Sequence, residues 1–423
     1  MSKINSTALN PGMVLAEDIC LPDGRLLMKK GTILDFEHLR SVRVGGVKEV
    51  EILDTLDPVP GFGTASSAVP DIHHTGAKAP WERRFSKCDP DHPVIQELYR
   101  LAALNLAYSE ASLQKDWSSP DLEAGLPSLS LSVEPSPKFK TFLGDPQSMI
   151  GSDLELVSLP EIFYQIEAVI NNPRSSAFQI AEVISKDPSL SAKLLRIVNS
   201  AFYGFPKQVD TISRAVAMVG SDQLHLLTLG TSVIALFRDI PSTLMNMGWF
   251  WKHSLACGIT ARLIGSYKNF LNIEQLFISG LLHDLGKLII FKNHPREAAA
   301  ALNQAGRSES FHYLMEQTLL GFDHLQVGLA LAEKWKLPLS LQQAIGGHHD
   351  PLRYPPSVDS AVVHMADNLV NALGYGSSGE HLVAPGVVDV CEFLRLPRGF
   401  LERLVPLINQ QVDETFHLFQ ASS

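Results

Sequence analysis

Seven residues in the second half of this 423-residue chain have the types and spacing to do chemistry: His253, His283-Asp284, His324, the pair His348-His349, and Asp367. Imidazole plus carboxylate is a ligand set for a divalent ion of the Mn, Fe, Zn or Mg kind rather than for soft-metal chemistry. His283-Asp284 lies within Phe277 to Phe291, a run apolar nearly all round, which predicts a central, buried helix. An ionised aspartate there costs several kcal/mol at least unless a cation or dense hydrogen bonding satisfies it. Lys287, one turn on, is placed either to contact a substrate phosphate or to snorkel to solvent. One ion or two would fit this set, and two would need Asp284 as the bridging carboxylate.

Helices must position these residues. Trp249 to Ile264 reads as the helix that carries His253. Upstream, Ile162, Ile166, Val169 and Ile170 keep helical spacing until Asn171-Asn172-Pro173. A second helix follows Ser176, and a third runs from about Ser189 to Val198. Thr211 and Asp222 are read as N-caps of two more. That last pair resembles a DNA-reading helix-turn-helix, but Asp222 to Leu229 has no Arg or Lys, so two packed core helices are the better reading. His225, His294 and His312 read as helix-surface residues without a role.

The rest of the chain is organised around that helical region. Residues 1–55 read as a small mixed β/α module, with a Pro22-Asp23-Gly24 turn, a strand to Met28, a helix from Asp35 to Val42 and a closing strand over Val47 to Leu53. Residues 56–150 read as a linker with one helix at about 91–113. The Pro/Gly/Ser-rich tracts at 57–80 and 117–146 flank it, and His73-His74 reads as a solvated pair. The fold class is thus mainly α, a multi-helical region behind a small mixed α/β unit.

Sequence motifs sharpen this. His253, His283-Asp284 and Asp367 resemble the H…HD…D pattern of the HD superfamily of metal-dependent phosphohydrolases. Leu159-Pro160, Asp187-Pro188-Ser189-Leu190, Leu194 to Ser200, Ala201-Phe202-Tyr203-Gly204, Ile212 to Ala215, Gly280 to Asp284 and Trp335 to Pro338 resemble the HDOD domain. The resemblance implies an HD-like HDOD domain over 151–352, completed by a helical extension over 353–423. It also implies metal ligands at His253, His283, Asp284 and Asp367, with His324, His348 and His349 where HD-GYP enzymes place extra ones. Gly12 to Leu15 and Pro22 to Leu27 are similar to a module that precedes HD-GYP domains. Asp350 to Pro355 lacks the glycines that follow the His pair in those enzymes, which argues against cyclic-dinucleotide hydrolysis.

HDOD domains are regulatory relatives of the hydrolases. The resemblance therefore implies a bacterial signalling protein that acts through other signalling proteins, with a metal-holding core. A metal phosphohydrolase acting on a nucleotide or cyclic nucleotide is the rival, and a nucleotide sensor without turnover is a third reading. A formal net charge of −10 disfavours nucleic acid. No apolar run reaches the roughly 20 residues of a membrane span, and four cysteines without metal or redox spacing point to a reducing, cytoplasmic setting.

Overall fold

The computed structural model describes residues 2–6, 9, 15–21, 26–30, 32, 34, 38, 41–42, 45–52, 81–113, 145–147 and 159–420, except 171, 173–174, 201–202, 204, 206, 238, 354 and 398. The Pro22-Asp23-Gly24 turn, most of the 35–42 helix, His73-His74 and nearly all of the two Pro/Gly/Ser-rich tracts lie outside these residues.

Strands occur, among the described residues, only in the first module. Strand β1 (Ser2–Asn5) and β4 (Glu49–Ile52) pair antiparallel, and so do β2 (Ile19–Cys20) and β3 (Leu26–Met28). Leu15, Ile19, Met28, Leu34, Val42, Val50 and Ile52 form a small core of their own, separate from the main one.

A short 3-10 turn over Glu82–Phe85 leads into α1 (Pro93–Leu113). Ile95, Leu98, Tyr99, Leu101 and Ala102 of α1 are buried in the main core. This helix is therefore packed into the large domain, not strung along a tether.

Next come α2 (Glu161–Ile170), α3 (Ala177–Ser185), α4 (Pro188–Val198), α5 (Ile212–Val219) and α6 (Ser221–Leu236). Local chemistry sets their starts: Ser176 and Gln179 make a reciprocal capping box, and the Asp187 carboxylate accepts from Ser189 and Leu190 amides at 2.9 and 3.0 Å. Thr211 caps α5 as read. Asp222 does not cap α6; the cap is Gly220 at φ 101°, and Asp222 sits in the first turn, where a negative charge still suits the helix dipole. Leu224, Leu227 and Leu229 bury α6 in the core, so the two helices pack as a core pair.

The second layer is built on α7 (Met247–Tyr267), with nearly every residue after Leu255 buried. It continues through α8 (Ile273–Leu282), α9 (Leu285–Asn293), α10 (Pro295–Ser308), α11 (His312–Leu320), α12 (His324–Lys334), α13 (Leu339–Gly347), α14 (Val358–Leu373), α15 (Val387–Phe393) and α16 (Phe400–Gln420). Helices α8, α14 and α16 all pack on α7, while α6 packs on α8 and α4 on α16 to join the two layers. No helix among the described residues is long and apolar enough to cross a membrane.

Candidate metal centre

The apolar run from Phe277 to Phe291 is two helices rather than one. α8 ends at Leu282, α9 begins at Leu285, and His283-Asp284 forms the joint. Within an unbroken helix the two side chains would diverge by about 100°. At a joint both turn inward.

Missing side chains bring the neighbouring helices close. A Cβ at Gly280 would lie 2.7 Å from the Cys257 carbonyl, so α8 can cross α7 in near contact and His283 meets His253. A side chain at Gly286 would collide with the His324 carbonyl, and Gly328 faces Gly286 across the same gap. That contact seats the first turn of α12 against Asp284. Asp323 fixes the start of α12 through a capping box with Gln326, leaving His324 at the first helical position.

All seven sequence-predicted ligands converge. Asp284 divides its oxygens between two groups. Oδ2 lies 3.2 Å from His283 Nε2 and 3.9 Å from His253 Nε2, while Oδ1 lies 3.4 Å from His324 Nε2 and 3.7 Å from His348 Nε2. Asp367 Oδ1 completes the first group, 3.2 Å from His253 Nε2 and 3.7 Å from His283 Nε2. His349 Nε2 completes the second, 3.2 Å from His324 Nε2. The carboxylate thus stands where a bridge between two ions would stand.

The rings are held ready. His283 Nδ1 faces the Gly280 carbonyl at 2.7 Å, His348 Nδ1 faces Ile345 O at 3.0 Å, and His324 Nδ1 faces Glu316 Oε2 at 2.5 Å. Each Nδ1 spent in this way turns Nε2 inward, as outer-shell acceptors do for metal-ligating histidines. His283 Nε2, His348 Nε2 and Asp284 Oδ1 are buried without any hydrogen-bond partner. Three such orphans facing one another are costly in a metal-free core, and a cation would satisfy all of them. The residues present therefore fit divalent ions.

Charge follows the same logic. Burial alone would raise the Asp284 carboxyl, but His283 and Lys287 outweigh it and hold the group well below the usual carboxylate range. Burial likewise opposes charge on His283, yet Asp284 and Asp367 raise it. Burial keeps His324 down at about 3 and His348 well below its ordinary value, so both are neutral donors at physiological pH.

Lys287 does not snorkel to solvent. It is 1% exposed, and its ammonium donates to Asp284 Oδ2 at 2.9 Å and Ser378 Oγ at 3.1 Å. It is an internal countercharge, withdrawn from solvent.

Sequence reading missed several residues here. Cys257 lies one turn beyond His253, and its Sγ is 3.6 Å from His253 Nε2. His364, one turn before Asp367, donates from Nδ1 to the His348 carbonyl at 2.6 Å. His312 is buried, with Nδ1 3.6 Å from Glu316 Oε1, and its backbone amide donates to Glu380. It is not the helix-surface residue expected. His225 is half-buried and stacks on Phe163, with ring centroids 4.7 Å apart. The i,i+4 and i,i+3 spacings on single helices were signals for Cys257 and His364; no local signal pointed to Glu316 or Glu380.

Residues 156–351 match the HDOD domain family. This chain carries an HDOD domain. Asp367 lies beyond the matched span, so the HDOD region draws one ligand candidate from the helical extension after it. Among solved structures, a candidate phosphohydrolase from Shewanella amazonensis SB2B is 25% identical, with TM-score 0.53 over 64% of this chain and 97% of that one. An HDOD domain protein of unknown function from Geobacter sulfurreducens is 26% identical, with TM-score 0.51 over 65% and 95%. An uncharacterised protein of Treponema pallidum (strain Nichols) is 29% identical over 212 residues, 49% of this chain and 40% of that protein's own length.

Proposed function

We propose that this HDOD protein is regulatory: it acts by docking to other signalling proteins, and its HD core holds divalent ions as fixed struts. The observation that carries this reading is closure of the centre. His253, His324 and His348 are 0% exposed, Asp284 is 1%, and Lys287 is committed to Asp284. Structural metal sites are closed, whereas catalytic ones keep an open position for water or substrate. His324, His348 and His349, with the split Asp284 carboxylate, would hold one ion; His253, His283, Asp284 and Asp367 would hold the other.

A second reading, a metal-dependent phosphohydrolase acting on a nucleotide or cyclic nucleotide, draws support from the bridging position of Asp284, which suits paired ions. Such ions would supply Lewis acidity toward a phosphoryl oxygen and make water a stronger acid. Of the chain's own groups, half-buried His349 under the Tyr313 ring, with centroids 4.7 Å apart, is the ligand candidate nearest solvent and the place where a substrate would enter.

The readings separate on protein purified without a histidine tag. Metal analysis is followed by hydrolysis assays on nucleotides and cyclic nucleotides with added Mn or Fe. We expect retained metal, no turnover, and loss of both metal and thermal stability in Asp284→Ala. Turnover abolished by Asp284→Ala would overturn the regulatory reading in favour of the hydrolase. Nucleotide binding without turnover, read by calorimetry, would favour a sensor instead.

A further inference from the structure

The first ligand group contains a fifth donor that neither sequence motif nor family resemblance marks. Cys257 follows His253 by one turn of α7, which places both side chains on the same face. Its thiol is fully buried and forms no disulfide. A buried cysteine most often packs as a small hydrophobe. This one instead faces an imidazole and a carboxylate: Sγ is 3.6 Å from His253 Nε2 and 4.0 Å from Asp367 Oδ1. With His283 Nε2, these four donor atoms lie within 4.8 Å of one another, and His283 Nε2 is buried without a hydrogen-bond partner.

We infer that Cys257 is a metal ligand, joining His253, His283, Asp284 and Asp367 around the first ion as a fifth donor. The inference rests on the metal-holding reading above and narrows it. Zinc binds nitrogen and oxygen donors at about 2.0–2.2 Å and sulfur at about 2.3 Å, so neighbouring donors around a five-coordinate ion form edges of about 3–4 Å. The edges in hand are 3.2 Å from His253 to Asp367, 3.6 Å from His253 to Cys257, 3.7 Å from His283 to Asp367 and 4.0 Å from Cys257 to Asp367. The distances from His283 to His253 and to Cys257 stay within 4.8 Å, so a modest inward movement of these side chains brings the donors onto one ion. On binding, the thiol proton leaves to solvent and the thiolate takes its place on the ion. A thiolate is a soft donor, which turns the first position away from Mg and Mn and toward Zn or ferrous iron. The second position, with imidazoles and one carboxylate oxygen, has no such donor.

Cobalt reports on this directly. The chain, with Cys20, Cys88 and Cys391 replaced by alanine, is stripped with chelator and titrated with Co(II). We expect a near-ultraviolet sulfur-to-cobalt charge-transfer band that disappears in Cys257→Ser, while the visible ligand-field bands and the bound cobalt remain. Zinc affinity at the first position should fall at least about tenfold in the same variant, the effect already typical of outer-shell losses. Zinc-edge X-ray absorption on the unaltered chain needs no variant and should show a sulfur shell at about 2.3 Å. Cobalt bound without the charge-transfer band, a band that survives Cys257→Ser, or a zinc spectrum without sulfur would each overturn the thiolate assignment and leave the metal reading standing. Failure of the unaltered chain to bind either ion would overturn both.

Discussion

Asp284 and Lys287 close an ion pair across one helical turn, Nζ to Oδ2 2.9 Å, with both side chains 1% exposed. Removing one member of a buried pair strands the other charge, at a cost of about 3–5 kcal/mol. Lys287→Met should lose about that much stability in urea unfolding of the chelator-treated protein. Zinc should restore most of it, because a dication takes over the role of the ammonium. A stability unchanged by the substitution would show that Asp284 is neutralised by other means.

The split carboxylate of Asp284 sets a stoichiometry. Metal-loaded protein should hold two ions, with His253→Ala and His349→Ala each losing one and Asp284→Ala losing both. Plasma emission analysis after desalting reads all four proteins. A single ion lost equally in every variant would reduce the centre to one position.

His364 acts on the second position through the His348 main chain, by its 2.6 Å donation to that carbonyl. His364→Phe keeps the ring and removes the donor. Affinity at the second position should fall about 10- to 100-fold, as for other outer-shell losses, while the first position stays as it was. Competition with a chromophoric chelator distinguishes the two.

Acid should unfold the metal-free protein early. Burial holds His312 and His324 at about 3, and His225 and His381 at about 4. In the unfolded chain each titrates near about 6.5. Below that pH the unfolded chain binds protons that the folded one refuses. The stability these groups contribute is therefore complete above about pH 6.5 and is lost as the pH falls toward 3–4, at about 1.4 kcal/mol per unit for each histidine. His283 and Glu380, the latter held up at about 7 by burial, work in the opposite sense but are fewer. The urea midpoint should drop steadily from pH 7 to pH 5, and a flat or rising profile would contradict this account.

Much of the centre was legible because its ligands sit at stops and starts that the sequence marks: His324 after a capping aspartate, His348-His349 after paired glycines, Asp367 on a capped amphipathic helix. The helix break at His283-Asp284 was not legible. A run that is apolar on every side reads as one helix, and only the need for two adjacent side chains to face one point divides it. Cys257 was not legible because its neighbours are a histidine one turn away and an aspartate far along the chain, not another cysteine. Glu380 escaped because its partner amide is on His312, a long-range contact without a local pattern. The glycines that let α7, α8, α9 and α12 touch leave no trace in hydrophobic periodicity either.

The segment before the HDOD match reaches the far end of the helix that carries Asp367. Arg84 Nη1 donates to the Asn371 and Ala372 carbonyls at 3.1 Å, and Asn105 Nδ2 donates to Leu373 O at 2.9 Å. These are the open carbonyls at the C-terminus of α14, which need partners when buried. A fragment cut at residues 156 and 351 would therefore lack both α14 itself and the residues that finish it. One buried core runs from Phe85 to Phe416, so the unit recognised by the family match is shorter than the unit of packing.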